Sequence, residues 1–194
     1  MTALVIERVV VASKNPDKIV EVEAVLVGAG VVGEIVRGLS WPDIVEDGDT
    51  LVENALLKAR AVTAATGLAT IADDTGLEVD ALGGAPGLHT ARYAGPDATY
   101  GENVSKLLQD LYGVENRAAR FVTAVALVTP NGPDRTAEGV LSGSIATKPR
   151  GSGGFGYDPI FEVGERTLAE IPATEKNRIS HRARALHALL EQLR

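Results

Sequence analysis

The sequence contains no cysteine among its 194 residues. That excludes disulfides, thiolate metal sites and a cysteine nucleophile together. Positive charge is not in excess either: the formal net charge is −7. A salt-sensitive grip on DNA or RNA is thereby disfavoured. A small polyanion remains admissible wherever a few Lys and Arg converge or a metal intervenes. No apolar run reaches the roughly 18 residues of a membrane span. The short N-terminal apolar stretch is broken by Glu7-Arg8 and lacks a small-residue cleavage site, which argues against an export signal. A cytoplasmic protein is the expectation, with no membrane and no nucleic-acid polymer as partner.

What is present is an ordinary globular composition, 45% hydrophobic and 23% charged. The pattern alternates strands with helices. Arg8 to Ala12 reads as a buried strand rich in β-branched residues. Asn15-Pro16 then starts a helix carrying Ile19, Val22 and Leu26, which Gly28 and Gly30 stop. Val31 to Leu39 is a second strand, and Trp41 to Asp49 an acidic loop. Thr50 and Glu53 form a capping box for a helix ending near Gly67. Leu68 to Ala72 is a short strand running into Asp73-Asp74-Thr75-Gly76. After a Gly- and Pro-rich loop at Gly83 to Gly87, a helix spans Ala98 to Tyr112. Phe121 to Thr129 and Thr136 to Ser144 flank the hairpin signal Pro130-Asn131-Gly132-Pro133. A C-terminal helix carries Leu186, Leu189, Leu190 and Leu193. The fold class is α/β with a mixed sheet, in one domain over residues 1–194.

Four segments carry chemistry. Ser13 to Lys18 lies between a strand end and a helix start, where free N–H groups and the helix dipole favour phosphate; an ordinary capped helix is the plainer account. Asp73-Asp74-Thr75-Gly76 follows an apolar strand, where ligands collect in α/β sheets. Adjacent residues in extended chain face opposite ways, so one carboxylate of the pair serves a site. Mg²⁺ is content with one or two carboxylates plus phosphate and water, yet Asp-Thr-Gly is equally good turn chemistry. Gly151 to Gly156 spells Gly-x-Gly-x-x-Gly, but Tyr157-Asp158-Pro159 cannot continue as a helix, so no dinucleotide fingerprint is present. Phe155 there either stacks on a base or packs inward. Ser180-His181-Arg182 contacts a ligand or makes a solvated basic face. Lys176 and Arg182 can serve one ligand only if the helix breaks near Ser180.

In this order the segments resemble the inosine triphosphate pyrophosphatase family. The resemblance rests on Ser13-x-Asn15-x-x-Lys18, Glu53-Asn54-Ala55-x-x-Lys58-Ala59, Ala72-Asp73-Asp74-Thr75-Gly76-Leu77, Leu82-Gly83-Gly84-Ala85-Pro86-Gly87, Ala91-Arg92-Tyr93, Gly153-Gly154-Phe155-Gly156-Tyr157-Asp158-Pro159 and Ser180-His181-Arg182. It implies an elongated mixed β-sheet with flanking helices, two lobes around a central cleft, and a homodimer. It also implies Mg²⁺-dependent hydrolysis of non-standard purine nucleoside triphosphates (ITP, dITP, XTP) to monophosphate and pyrophosphate. Carried over by position, Asp74 is the proton acceptor and a metal ligand, joined by Glu46, with Asp47 and Asp49 as alternatives. Ser13, Lys14, Asn15, Pro16, Asp17 and Lys18 hold phosphates. Thr75, Phe155, Gly156, Tyr157, Asp158, Lys176, His181 and Arg182 complete the substrate pocket. Arg182 only donates hydrogen bonds, which suits a 6-oxo purine and not the 6-amino group of adenine. Ser13, Lys14 and Thr75 stand where Thr, Gly and Ser are frequent, and Lys14 sets a bulky cation beside the phosphate loop. A related pyrophosphatase of other base preference, or a non-hydrolytic nucleotide-binding regulator, are the competing readings.

Overall fold

The computed structural model describes residues 6–193; the first five residues of the N-terminal apolar stretch lie outside it. Among the described residues there are eight strands and five α-helices, in the order β1 (Ile6–Val11), α1 (Pro16–Ala29), β2 (Val32–Val36), α2 (Leu51–Thr66), β3 (Ala69–Val79), β4 (Pro86–Gly87), α3 (Tyr100–Asp110), β5 (Ala118–Val128), β6 (Arg135–Ile145), β7 (Phe161–Val163), β8 (Arg166–Thr167), α4 (Ala173–Ile179) and α5 (His181–Glu191). The sheet order is β2-β1-β3-β5-β6-β7-β8, with β4 on β3. β1 runs parallel to β2 and β3, whereas β4, β7 and β8 pair antiparallel, so the sheet is mixed as expected. None of the described helices is long and apolar enough to cross a membrane.

The chain divides into two compact units. The first holds the residues up to Asp74, Thr123–Gly139 and those from His181 onward; the second holds Thr75–Val122 and Val140–Ser180. In the first unit, strand alternation sorts side chains onto two faces. Val9, Val11, Ile71, Val125 and Leu127 pack with Leu26 of α1 and Leu186 and Leu189 of α5. Leu26, Leu186 and Leu189 are fully buried, each contributing about 1.5–3 kcal/mol. Their neighbours Val10, Ala12, Ala72, Ala124 and Ala126 form the other face with Ala55 and Ala59 of α2. That face is built of small residues, which lets α2 lie close to the sheet.

Local signals explain where the helices begin and end. Asn15 caps α1 by accepting from the Asp17 N–H at 3.0 Å, with Pro16 in the first turn. The Thr50–Glu53 capping box opens α2, and Gly67 ends it. Thr99 and Glu102 make a second box for α3, two residues inside the expected start. Gly28 does not stop α1; the helix runs on to Ala29 and Gly30 closes it. Gly139 has no room for a side chain, because a Cβ there would overlap the backbone of His181 and Ala185 in α5.

β3 corrects one expectation. It does not end at Ala72 but continues through Asp73-Asp74-Thr75-Gly76 to Val79. Turn chemistry loses here to pairing: Ala69 to Ile71 bond to β1, and Leu77 and Glu78 bond to β4.

The second unit has its own core. Val104, Leu107 and Leu111 of the α3 region pack with Leu77, Phe121, Leu141, Ile160, Phe161 and Leu168. The Phe121 and Phe161 rings meet at 4.6 Å between centroids.

Candidate active site

In the first unit the phosphate-type loop is formed by side chains that order its own backbone. Ser13 Oγ accepts from the Asn15 N–H at 3.1 Å, and Asn15 in turn caps α1. Lys14 turns outward to an ion pair with Asp43, both side chains being well exposed. Lys18 turns inward, its Nζ 3.2 Å from Asp73 Oδ2. The bulky cation at position 14 therefore sits beside the acidic loop, and the one at 18 points toward β3.

The two adjacent carboxylates diverge because β3 is extended. Asp73 shares the face of Ile71: it meets Lys18 of α1 and Arg182 of α5, whose Nε is 3.1 Å away. Asp74 shares the face of Ala72: it accepts from Asn54 Nδ2 at 3.2 Å and lies 3.5 Å from Lys58 Nζ, both on α2. Burial works against a charged Asp73, but Lys18, Arg182 and Lys58 outweigh it and hold its carboxyl far below the usual range. Burial likewise opposes the Lys58 charge, yet Asp74, Asp73 and Glu46 together raise its ammonium above its ordinary value.

Lys58 is the hub on the α2 face. Its Nζ also reaches Glu46 Oε2 at 2.7 Å, so one ammonium joins the acidic loop to Asp74. Of the three loop acids considered, Glu46 is the one tied to the same lysine as Asp74. The carboxylate pair suits Mg²⁺, a hard cation that takes one or two carboxylates and fills its other positions with phosphate and water. No group of three or more His, Cys, Asp or Glu able to hold a metal occurs among the described residues.

The break between α4 and α5 falls where the sequence placed it: Ser180 is extended, with φ −64° and ψ 156°. His181 opens α5 and its Nδ1 lies 2.6 Å from Thr123 Oγ1. Arg182 is only 3% exposed and is gripped by Asp73 and Glu21. It is thus no solvated basic face. The carboxylates that orient it come from β3 and α1.

The second unit holds the other candidates. Asp158, 3% exposed, accepts from the Phe155 N–H at 2.9 Å and pairs with buried Lys176. Lys176 Nζ also lies over the Phe155 ring at 5.0 Å, while Tyr100 approaches the same ring at 5.9 Å, tilted by 40°. Gly154 makes this possible: its φ is +66°, and a Cβ would collide with the Asp158 carboxylate. Tyr157 is a core residue whose hydroxyl donates to the Thr90 carbonyl at 3.0 Å. Burial pushes that phenol well above its usual range. Thr75 lies in β3, partly buried, and Gly156 follows Phe155 with φ +62°.

Residues outside the expected site set bind its charged members, among them Asn54, Lys58, Asp73 and Glu21. Asn54 and Lys58 carried a signal, being polar residues one helical turn apart beside the buried alanines 55 and 59. Glu21 carried none, since its partner is 161 residues away.

Comparison with known proteins identifies the family. The Ham1 family model matches residues 9–192. The dITP/XTP pyrophosphatase of Geobacillus kaustophilus is 48% identical over 191 residues, covering 96% of this chain and 94% of that protein. The protein of the same name from Symbiobacterium thermophilum is 50% identical over 193 residues, covering 96% and 95%. Among solved structures, a HAM1 protein from Coxiella burnetii matches with a TM-score of 0.85 at 42% identity, covering 96% of this chain and 98% of that one. With a match running from the first strand to the last helix and relatives near half identical, the chain belongs to the Ham1 family.

Proposed function

We propose that this chain hydrolyses non-standard purine nucleoside triphosphates, ITP, dITP and XTP among them, to the nucleoside monophosphate and pyrophosphate. The relatives named dITP/XTP pyrophosphatase support the substrate class. The observation that carries the chemistry is the pair Asp74 and Glu46, both held to Lys58. In the reaction a water oxygen bonds to the α-phosphorus and the bond from that phosphorus to the bridging oxygen breaks. Asp74 takes the water's proton, and pyrophosphate departs with the bond's electrons. Mg²⁺ held by Asp74 and Glu46 would supply charge neutralisation for the triphosphate. Ser13 to Lys18 hold phosphate through the α1 N-terminus and the Lys18 charge. Phe155 offers a face for the base, within a loop that Asp158 and Lys176 keep in place.

Discrimination against adenine follows from donor and acceptor chemistry at position 6, a group that guanine shares with hypoxanthine and xanthine. Arg182 presents donors only, oriented by Asp73 and Glu21, and a 6-oxo purine supplies the acceptor that adenine lacks. The test is pyrophosphate release with Mg²⁺ from ITP, dITP and XTP, set against ATP, GTP, CTP and UTP. Turnover confined to the standard nucleotides would overturn the substrate class. Binding without turnover of any of them would make the protein a nucleotide-binding regulator. We further propose a cytoplasmic homodimer; sedimentation as a 20.3 kDa monomer at micromolar concentration would contradict the dimer.

A further inference from the structure

The geometry points to Asn54 as a positioning residue for the hydrolysis, one that sets the Asp74 carboxylate in register with the acidic loop. The inference rests on the role given to Asp74 above.

Asn54 lies in the first turns of α2, on the face that meets the sheet, and is only 5% exposed. Its amide spans two elements that share no strand or helix. Oδ1 accepts from the Gly48 N–H at 2.9 Å, and Nδ2 donates to Asp74 Oδ2 at 3.2 Å. The direction of the amide is fixed by its partners: a backbone N–H only donates and a carboxylate only accepts. The approach at Gly48 is tight as well. A Cβ there would lie 2.8 Å from Asn54 Oδ1 and 2.8 Å from Glu53 Cβ, so the loop backbone is pressed against the start of α2.

The consequence is geometric. Glu46 stands two residues before Gly48, on the loop that Asn54 anchors. One side chain therefore locates the loop bearing Glu46 and the carboxylate of Asp74. Lys58, one turn further along the same helix, ties the same two acids by charge. Charge alone leaves a carboxylate free to rotate, because a point cation attracts either oxygen from many directions. The directional bond from Asn54 Nδ2 to Oδ2 removes that freedom and leaves Oδ1 on the Lys58 side. Asn54 acts through Asp74.

Asn54→Asp separates the two bonds, since it exchanges the donating nitrogen for oxygen and keeps the acceptor facing Gly48. Asn54→Ser is too short to make either. The measurements are kcat and KM for ITP, and hydrogen exchange at the Gly48 amide by NMR, which reads the loop anchor without turnover. In Asn54→Asp, Gly48 stays protected while kcat falls roughly 10–100-fold with KM within about threefold of wild type. In Asn54→Ser, Gly48 loses protection and kcat falls at least as far. A wild-type kcat in Asn54→Asp overturns the inference, leaving Asn54 as a loop anchor alone. So does a kcat loss that only follows Gly48 deprotection across the two variants. Asp74→Asn is run in parallel: if it turns over ITP normally, the role of Asp74 fails. An inactive Asp74→Asn beside a fully active Asn54→Asp sinks only the role of Asn54.

Discussion

Asp73 and Asp74 are neighbours in β3, yet Asp73 is bound by Lys18 and Arg182 and Asp74 by Asn54 and Lys58. The strand pleat assigns the first carboxylate to α1 and α5 and the second to α2. One is enclosed, with its side chain 1% exposed; the other keeps 16%. The same substitution at the two positions should therefore fail in different ways.

At Asp74, Asn removes the charge that accepts a proton and binds metal, while keeping the shape and an acceptor. Asp74→Asn is expected to abolish Mg²⁺-dependent pyrophosphate release from ITP with stability changed by less than about 1 kcal/mol. Residual activity above a few per cent in a folded protein would remove Asp74 from the mechanism.

At Asp73, Asn leaves Lys18 and Arg182 facing a neutral group inside the protein. Breaking a buried ion pair on one side costs about 3–5 kcal/mol. Urea unfolding of Asp73→Asn should show a loss of that order. An unfolding midpoint equal to wild type would show that Glu21 and solvent suffice for the two cations.

Phe155→Ala tests the base-stacking role. Base–aromatic stacking is worth about 1–3 kcal/mol and is nearly indifferent to ring substituents. The loss in kcat/KM should be similar for ITP and for a poor substrate such as ATP. A loss confined to ITP would make Phe155 a reader of the 6-position.

Tyr93 and Asp110 predict a pH dependence. The Tyr93 hydroxyl lies 2.5 Å from Asp110 Oδ2; burial first, then this bond, push the phenol up to about 12. The same bond, against some desolvation and with help from Lys106, lowers the Asp110 carboxyl below its ordinary value. A carboxylate depressed in the folded state adds stability above the unfolded value, near 3.9, and loses it as pH falls through the folded one. Tyr93→Phe should thus cost about 1 kcal/mol at pH 7, a solvent-screened hydrogen bond to a charge. The gap between wild type and variant should close as Asp110 protonates. A gap unchanged at acid pH, measured by thermal melts, would exclude this origin.

Helix boundaries were the most legible part of the sequence because their signals are local. Asn15-Pro16, the Thr50–Glu53 box and the break at Ser180 each depend on residues within a few positions. The continuation of β3 through Asp73 to Val79 was not legible, since its cause is pairing with β1 and β4. The burial of Arg182 was hidden for the same reason: Asp73 is 109 positions away and Glu21 is 161. Sequence proximity identified the pieces, and long-range pairing decided which way each side chain turned.

Gly139 works as a spacer defined by what is missing. With hydrogen in place of a methyl group, β6 accepts the first turn of α5 directly on its backbone. The depth of that helix over the sheet is also the depth of His181 against Thr123 and of Arg182 against Asp73. A single added carbon at position 139 would press on the backbone of His181 and Ala185, lift α5 and stretch both hydrogen bonds at once. The tolerance to which two polar contacts are built is thus set by a residue with no side chain to make a contact of its own.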